Sequence, residues 1–507
     1  MSSKESGRLE KESVVAVVVC TAVLMMTFGL TTSVAARAAP TLGGSPTNSG
    51  AGVNSQSVQY SAAGPTYIVK PNGYDDTGDL QAAFNACTSS GRICSVQLVK
   101  GTYYTTQVTV FGFRGNFIGM GQGWTTIRAL PNLASPTSDP FWAALPGPLN
   151  PWPALFTFEN GAYRISGMTL TEPYSNAVPG GWDASLTGGL TTETALFTAV
   201  ELTGLQAVAT VDRVTVLGAP GDVLGTNIFN AITFEGSFLP QGWTDPLADL
   251  IPISGSFSVT NSVFNSAESG PWFDTIANAE VTVCFNTLVD SSVPLGFADA
   301  SNSQILFCGN REPSVSYYVG LLVEQSVYTA NLPSTVFIVG NDLRVNSGAN
   351  AVDLLDFGAT STLNAVVSGN VFQTDTSCGC YIGSYPGSYS VIISENLKSL
   401  VVTGNTILGG GAAGVYVTSG PAVVSGNTIL GSYAGVWVDY ANHVRVTGNV
   451  IENSVAYGIA VTDGSSYNLM AGNVVKNSGV DDLYWDGTGT GNVWIGNVYG
   501  TSSPPGL

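Results

Sequence analysis

Four short segments near the C-terminal end carry aromatic and acidic side chains at matching places. They are GVYVT (414–418), GVWVD (435–439), GIAVT (458–462) and DLYWD (482–486). Each alternates with period two, so strands here direct Tyr416, Trp437 and Tyr484 to one face, with Asp439 in the next outward column. Because sugar rings stack on aromatic faces and acids bind sugar hydroxyls, the pattern predicts a carbohydrate-binding surface. The alternative is that these aromatic residues only cover the sheet or pack beneath a loop.

Acidic residues closer to the N-terminus could supply catalytic carboxyl groups. Glu324 in GLLVE and Glu235 in AITFE are predicted to share the column of Asp439, and Asp353 and Asp356 in VDLLD to lie close to it. A glycosidase needs two carboxyls about 5 to 9.5 Å apart, which residues one or two turns apart in a β-solenoid satisfy. Asp353 with Asp356, or Glu324 with either, is therefore the predicted acid and its nucleophile or base. The alternative is that all of them are solvated surface acids.

Tryptophans concentrate between residues 131 and 275, among many prolines and glycines. They are Trp142, Trp152, Trp182, Trp243 and Trp272. Long loops on a rigid scaffold usually carry recognition, and so many indoles are costly to leave in water without a partner. Trp182 and Trp243 are predicted to contact substrate, unless these loops simply fold back over the scaffold.

Metal and histidine chemistry have weaker support. Asp463 and the adjacent pair Asp481 and Asp482 could bind calcium, but they lack the regular aspartate ladder of a calcium-binding repeat. We therefore assign no metal ligand and expect no cofactor, with calcium left open. The single histidine, His443, stands near Arg445 and is interpreted as an incidental surface residue.

An internal repeat predicts the elements that position these residues. Its asparagines are Asn286, Asn310, Asn341, Asn370, Asn405, Asn427, Asn449, Asn473 and Asn497, at spacings of 24, 31, 29, 35, 22, 22, 24 and 24. Short β-branched strands around a Gly-Asn corner predict an all-β parallel β-helix, because coils stacked about 4.8 Å apart place each Asn above the last. The stacked amides can then hydrogen-bond along the axis. Val415, Val436, Ile459 and Leu483 are predicted to point inward, and the longer spacings to hold loops.

The cysteines suggest an oxidising compartment. Six of the seven remain after a leader containing Cys20 is removed, and that even count suits disulfide formation. Cys87 and Cys94 could close a short loop, while Cys284 and Cys308 occupy the same place in successive repeats. Cys378 and Cys380 are too close for an unstrained bridge. The alternative for all six is a buried thiol.

Residues 74–106 differ from the repeat in composition and in the pattern of apolar residues. Asp79 is predicted to cap a short helix, Leu80–Ala86, that plugs the open end of the solenoid. The motifs Asp75-Asp76-Thr77, Leu80-Gln81-Ala82-Ala83 and Gly101-Thr102-Tyr103 resemble the opening of the pectate-lyase-like (pectin-lyase-fold) superfamily. That resemblance implies a right-handed parallel β-helix, of the kind found in carbohydrate-binding and carbohydrate-processing proteins.

Catalytic motifs of that superfamily do not carry over. The Asn-Thr-Asp, Asp-Asp, Gly-His-Gly and Arg-Ile-Lys set of the polygalacturonase-type hydrolases is missing from the sequence, and His443 has no flanking glycines. Pectate lyases use an Arg or Lys base, and no basic residue here lies in a recognisable lyase motif. The resemblance therefore supports the fold more strongly than an activity.

The N-terminus reads as an export signal. A polar start with Lys4, Arg8 and Lys11 precedes an uncharged apolar run, and Ala36-Arg37-Ala38 suits cleavage, although an uncleaved anchor is the alternative. Removing residues 1–38 leaves 12 basic and 32 acidic residues, a net charge of −20. Such a charge disfavours nucleic acid and polyanionic glycans, so a neutral polysaccharide is the expected partner.

The predicted organisation has five parts. They are a signal peptide or anchor (1–38), a flexible spacer (39–66), the cap and first coils (67–130), coils with long Trp-, Pro- and Gly-rich loops (131–275) and regular coils with the Asn ladder (276–507). We expect a secreted or cell-surface protein that acts on polysaccharide as a hydrolase or lyase. The alternative is a non-catalytic glycan-binding surface protein, adhesin or envelope structural protein. No oligomeric state follows from the sequence.

Overall fold

A computed structural model describes most of the chain beyond the spacer. The described residues are 64–106, 108–130, 154–171, 198–203, 207–218, 230–235, 237–238, 250–265, 269–289, 291, 295–314, 319–325, 332–346, 349–356, 362–375, 390–409 and 411–507. The predicted signal peptide or anchor, nearly all of the predicted spacer, and Cys378 and Cys380 lie outside them.

Strands dominate the described residues, and the helix among them is α1 (Thr77–Ser89). The strands are β1 (Thr66–Val69), β2 (Cys94–Leu98), β3 (Gly101–Thr105), β4 (Val108–Phe111), β5 (Arg114–Ile118), β6 (Thr125–Ala129), β7 (Ala154–Glu159), β8 (Ala162–Thr171), β9 (Thr198–Thr203), β10 (Ala207–Leu217), β11 (Asn230–Glu235), β12 (Ser237–Phe238), β13 (Leu250–Ile251), β14 (Ile253–Thr260), β15 (Val263–Asn265), β16 (Ser269–Cys284), β17 (Thr287–Val289), β18 (Leu295–Ser301), β19 (Gln304–Cys308), β20 (Val319–Gln325), β21 (Ser334–Val339), β22 (Asp342–Asn346), β23 (Asn350–Asp356), β24 (Leu363–Ser368), β25 (Val371–Asp375), β26 (Ile392–Glu395), β27 (Ser399–Thr403), β28 (Thr406–Leu408), β29 (Ala413–Val417), β30 (Ala422–Ser425), β31 (Thr428–Leu430), β32 (Ala434–Asp439), β33 (Val444–Thr447), β34 (Val450–Glu452), β35 (Tyr457–Thr462), β36 (Leu469–Ala471), β37 (Val474–Lys476), β38 (Asp481–Trp485), β39 (Val493–Ile495) and β40 (Ser502–Ser503).

These strands stack as a parallel β-helix, which confirms the predicted fold class. Successive coils extend three parallel ladders, of which the third is the shortest and β16 is long enough to belong to the other two. The first sheet runs β7–β9–β11–β16–β18–β20–β23–β26–β29–β32–β35–β38, with parallel pairing at every step. The second follows β8–β10–β14–β16–β19–β21–β24–β27–β30–β33–β36–β39. The third contains β22–β25–β28–β31–β34–β37.

The asparagine ladder forms as predicted. From Asn286 to Asn497, each Nδ2 donates to the Oδ1 of the next asparagine at 2.9 to 3.0 Å. The same Oδ1 also accepts the backbone N–H of the preceding ladder residue, as Asn427 Oδ1 does from Asn405 at 3.0 Å. Each corner therefore satisfies its buried polar groups through the coil above and the coil below.

The core lies inside the coils and is almost entirely apolar. Val415, Val436, Ile459 and Leu483 are fully buried there, as the period-two pattern predicted. Glu312 is an exception: the pairing of Arg311 with its neighbours on both sides puts Glu312 in the inward row of Leu288 and Leu343. Both carboxyl oxygens of Glu312 are buried without a hydrogen-bond partner. Its pKa is raised well above the usual range by that burial.

The helix α1 is longer than predicted, and its start differs. Its N-cap position is Asp76 rather than Asp79, which lies in the first turn. Asp76 instead uses its carboxylate to accept the backbone N–H groups of Asn72 and Tyr104, so the cap prediction for Asp79 was wrong. Leu80 and Phe84 are buried, but the role of the helix as the plug of the solenoid stays a prediction.

Two cysteine pairs are joined. Cys87 on α1 is bonded to Cys94 on β2, and Cys284 on β16 to Cys308 on β19. Cys284 and Cys308 are register partners on adjacent coils. Among the described residues, no helix combines the length and apolar character needed to cross a membrane.

Candidate functional site

The outer face of the first sheet carries the two columns predicted from the sequence. Strand register aligns the first as Trp272, Gly296, Leu322, Asp353, Ile393, Tyr416, Trp437, Ala460 and Tyr484. The second, two residues further along each strand, is Glu159, Thr203, Glu235, Asp274, Ala298, Glu324, Leu355, Glu395, Thr418, Asp439, Thr462 and Asp486. The register places Glu324 and Glu235 in the column of Asp439, as expected.

Acids in the second column alternate with other residues over the C-terminal coils. From Ala298 onward, every second coil contributes a carboxyl group, from Glu324, Glu395, Asp439 and Asp486. Because coils stack about 4.8 Å apart, these positions recur at about 9.6 Å along the axis. The face is therefore strongly acidic, with a regular spacing.

Asp353 has the most unusual environment of the predicted acids. Its Oδ2 accepts a hydrogen bond from Asn350 Nδ2 at 3.0 Å, while its Oδ1 is buried without a hydrogen-bond partner. Burial raises the pKa of Asp353 to about 7; the Asn350 hydrogen bond opposes this shift and the nearby Glu395 adds to it. Such a carboxyl holds a proton near neutral pH, as a general acid requires.

Glu395 is the neighbour that sequence reasoning missed. It follows Asp353 by one coil and is offset by two residues, because Asp353 pairs with Ile393 and Leu355 with Glu395. Burial raises its pKa as well. The irregular 35-residue spacing of this coil hides the alignment.

Of the other two predicted catalytic residues, Glu324 lies on the same outer face as Asp353, at the same one-coil, two-residue offset as Glu395, whereas Asp356 does not. Asp356 stands an odd number of residues from Asp353, so it points inward, where its Oδ2 accepts the N–H groups of Thr362 and Leu363 at 2.7 and 3.0 Å. It stabilises a corner. Glu324 is buried in the second column, diagonal to Asp353 on the preceding coil. Asp353 thus lies between Glu324 and Glu395 along the face.

Tyr416 and Trp437 lie on the outer face but expose little surface. Each is only 8% exposed, and their rings meet edge to face at 5.8 Å. Tyr416 Oη donates to Asp439 Oδ2 at 2.8 Å, and Trp437 Nε1 donates to Thr462 Oγ1 at 2.8 Å. Thr462 in turn donates to Asp439 Oδ1 at 2.5 Å. The aromatic pair therefore fixes the carboxylate of Asp439 and presents ring edges rather than open faces.

More accessible rings stand beside this pair. Tyr484 stacks on Tyr457 with ring centroids 4.4 Å apart, and both are half-buried. The exposed Asp463 lies close to Asp439, and its interaction with that carboxyl group raises the pKa of Asp463. Stacked rings, hydroxyls and carboxyls thus occur together on the C-terminal coils.

Several other predicted residues lie elsewhere. Trp182 and Trp243 are outside the described residues, whereas the half-buried Trp272 ring lies against Gly296. Asp482 uses both carboxyl oxygens to accept the N–H groups of Ser478 and Gly500. Within the described ranges, no three His, Cys, Asp or Glu residues converge as a metal site, and calcium binding stays a prediction.

One family model matches part of the chain. It is the periplasmic copper-binding protein (NosD) family, matched over residues 364–503. Copper favours His, Cys and Met ligands. In the described part of that segment, His443 is exposed and Met470 is fully buried, and no ligand cluster surrounds either residue. These residues do not fit a copper site.

Solved structures of β-helix proteins are also similar. The chain is 14% identical to the catalytic unit of a GH87 α-1,3-glucanase from Streptomyces thermodiastaticus strain HF3-3, covering 85% of this chain and 67% of that one, with a TM-score of 0.44. The mannuronan C-5 epimerase AlgE6 A-module of Azotobacter vinelandii is 15% identical, with coverage of 85% and 96% and a TM-score of 0.32. A variant of the periplasmic alginate epimerase AlgG is 10% identical, with coverage of 79% of this chain and 79% of that one and a TM-score of 0.41.

No curated protein sequence matches the chain. The structural similarities are too distant to transfer an activity. The strand register and the matched family model agree that the predicted pectate-lyase-like β-helix is correct at the level of the fold.

Proposed function

We propose that this is a secreted or cell-surface protein that binds a neutral polysaccharide along the outer face of its first sheet and hydrolyses it. Asp353 is the general acid in this proposal, and Glu395 is the second carboxylate. The protein presents both from rigid strands, so neither group depends on a loop for its position.

The observation that carries the proposal is the pairing of Asp353 with Glu395. A coil step of about 4.8 Å and a strand offset of about 6.6 Å separate their Cα atoms by about 8 Å. Side chains standing straight out from the sheet keep a separation in the range of inverting glycosidases, about 6.5–9.5 Å. Asp353, with a pKa of about 7, retains the proton that the leaving oxygen needs.

The chemistry requires no cofactor. Asp353 donates its proton to the glycosidic oxygen as the bond from that oxygen to the anomeric carbon breaks. A water molecule attacks the anomeric carbon from the opposite side, and Glu395 accepts a proton from it. Burial of both carboxyl groups, deeper for Asp353 than for Glu395, strengthens their effect on the charge that develops at the reacting centre.

The acidic second column supports a neutral substrate. Carboxyl groups at every second coil repel a polyanionic glycan but can accept hydrogen bonds from sugar hydroxyls. The net charge of the whole chain, −19, acts in the same direction.

Glycan binding without turnover is the second candidate function. The observation that favours it is the carboxylate of Asp439, held by Tyr416 on one oxygen and Thr462 on the other. A carboxylate fixed in this way is suited to accept hydrogen bonds from the hydroxyl groups of a ligand.

A turnover assay separates the two candidates. Reducing ends released from cellulose, laminarin, starch and mannan derivatives would be measured for the wild type and for Asp353→Asn and Glu395→Gln, with the exposed Glu280→Gln of the second sheet as the control. We expect at least a 100-fold loss of kcat in both site variants and none in the control. Unchanged turnover in both site variants would contradict the assignment, and binding without turnover by the wild type would leave the second candidate.

A further inference from the structure

An open pocket lies at the corner between the first and second sheets, near the C-terminal end. Its volume is about 580 Å³, and it is lined by Gly420, Tyr440, Asn442, His443, Gly464, Ser466 and Tyr467. These residues come from three successive coils, since His443 and Tyr467 occupy equivalent places that Gly491 takes on the next coil. We refer to it as the corner pocket.

Aromatic rings form the walls of the corner pocket. His443 and Tyr467 are stacked nearly parallel, with ring centroids 5.7 Å apart and planes 16° from each other. Tyr440 is 69% exposed and Tyr467 is 61% exposed. Unlike Tyr416 and Trp437, these rings leave most of their surface open to a ligand.

The three aromatic residues of the corner pocket have an energetically unfavourable backbone conformation. Tyr440, His443 and Tyr467 have φ values of 53°, 60° and 57°, in the left-handed region that bulky residues rarely adopt. The position equivalent to Tyr440 is Asp463 on the next coil and Asn396 and Gly487 two coils away on either side, and the coil after Tyr467 has Gly491 in the place of His443 and Tyr467. Residues that fit this conformation are thus available in the repeat, yet aromatic residues occupy it here. Strain of this kind concentrates at ligand-binding sites.

Polar groups lie between the rings. Ser466 donates its N–H to Asn442 Oδ1 at 2.8 Å and its hydroxyl to the carbonyl of Gly464 at 2.8 Å. Thr490 donates its N–H to Ser466 Oγ at 3.0 Å. These bonds fix an amide and a hydroxyl next to the aromatic walls, a combination that suits the hydroxyl groups and the apolar face of a sugar ring.

The corner pocket continues the proposed site. Tyr440 directly follows Asp439 and lies near enough to Tyr416 to interact with it electrostatically. A polysaccharide bound along the first sheet therefore lies close to the corner pocket, because the strands of that sheet end at this corner. We infer that the corner pocket is a second carbohydrate subsite, which packs one neutral pyranose ring of the same polysaccharide against the exposed ring surfaces of Tyr440, His443 and Tyr467. This inference rests on the proposed function.

The test compares two variants that relieve the same strain. Tyr467→Gly removes the ring and places in this corner the residue that the next coil already uses. Phe285→Gly is the matched control, because Phe285 is also exposed (64%), also has a positive φ (60°) and also lies over a glycine of the next coil, Gly309, far along the chain from the pocket. Both variants are expected to fold at least as well as the wild type.

Affinity for cellohexaose, laminarihexaose, maltohexaose and mannohexaose would be measured by titration calorimetry. For the hexasaccharide that the wild type binds best, Tyr467→Gly should weaken binding about fivefold or more, because one stacking contact is lost, and Phe285→Gly should leave it unchanged. Equal affinities in the two variants would overturn the subsite while leaving the proposed function intact. Failure of the wild type to bind any of the four would instead overturn the proposed function.

Discussion

Among individual side chains, Asp353 makes the clearest prediction for pH dependence. Its pKa is raised to about 7, and the hydrogen bond from Asn350 limits that rise by stabilising the charged form. Activity should therefore fall as the pH increases through about 7, because the acid loses its proton. In Asn350→Leu the basic limb of the pH–rate profile should move to higher pH. A limb that stays in place or moves to lower pH would contradict the role of Asp353.

Glu312 should make the fold less stable as the pH rises, whereas a carboxylate in an ion pair makes a fold less stable as the pH falls. Its pKa is higher in the folded protein than in the unfolded chain, so the stability of the fold is greatest below the ordinary glutamate pKa and declines as the pH rises toward the folded value. Glu312→Leu should raise the free energy of unfolding by about 1–3 kcal/mol at pH 8 and by less at pH 5. Urea unfolding at both pH values measures this.

Glu312→Gln serves as the comparison for that experiment. It keeps a polar side chain in the inward row of Leu288 and Leu343 but cannot ionise. Its stability should therefore show less loss between pH 5 and pH 8 than the wild type. An identical pH dependence in wild type and Glu312→Gln would show that another group is responsible.

Among the strands and corners, the asparagine ladder makes the sharpest prediction. Asn427 Oδ1 accepts both the backbone N–H and one Nδ2–H of Asn405, so Asn427→Ala leaves the buried backbone N–H without an acceptor and Nδ2 with only the carbonyl of Val367. We expect a loss of about 2–4 kcal/mol in the free energy of unfolding. Asn497→Ala, at the more exposed end of the ladder, should cost less. Equal costs at the two positions would contradict a cooperative buried ladder.

In the regular coils, the sequence alone predicts which strands are neighbours. Spacings of 22 to 24 around Asn405, Asn427 and Asn449 fix which strands are neighbours, so the alignment of Tyr416 with Trp437 followed directly. Strand periodicity gave the direction of these side chains but not their exposure, because hydrogen bonds across coils, such as that from Tyr416 to Asp439, cover most of their surface.

The irregular coils explain what sequence reasoning missed. Between Asn310 and Asn405 the spacing varies from 29 to 35, so the repeat alone does not align Glu395 with the coil of Asp353, and the sequence predicts only Asp356 and Glu324 as partners of Asp353. Likewise, the corner pocket joins Tyr440 and His443 to Tyr467, residues that no motif connects. Contacts between coils at corners depend on backbone conformation, which spacing alone does not give.

For the molecule as a whole, we propose that a neutral polysaccharide lies along the outer face of the first sheet, parallel to the long axis of the β-helix. The acid column recurs at about 9.6 Å, so a bound chain is contacted by the same kind of group over several coils. Longer oligosaccharides should therefore bind more tightly than short ones until the face is filled.

A crystal structure of Asp353→Asn with a bound hexasaccharide tests that claim most directly. The substitution removes the proposed proton donor and so preserves the substrate. We expect sugar rings that follow the axis over Glu395 and Asp439, with a glycosidic oxygen within hydrogen-bonding distance of residue 353. Sugar bound on the second or third sheet, with the first sheet empty, would contradict it.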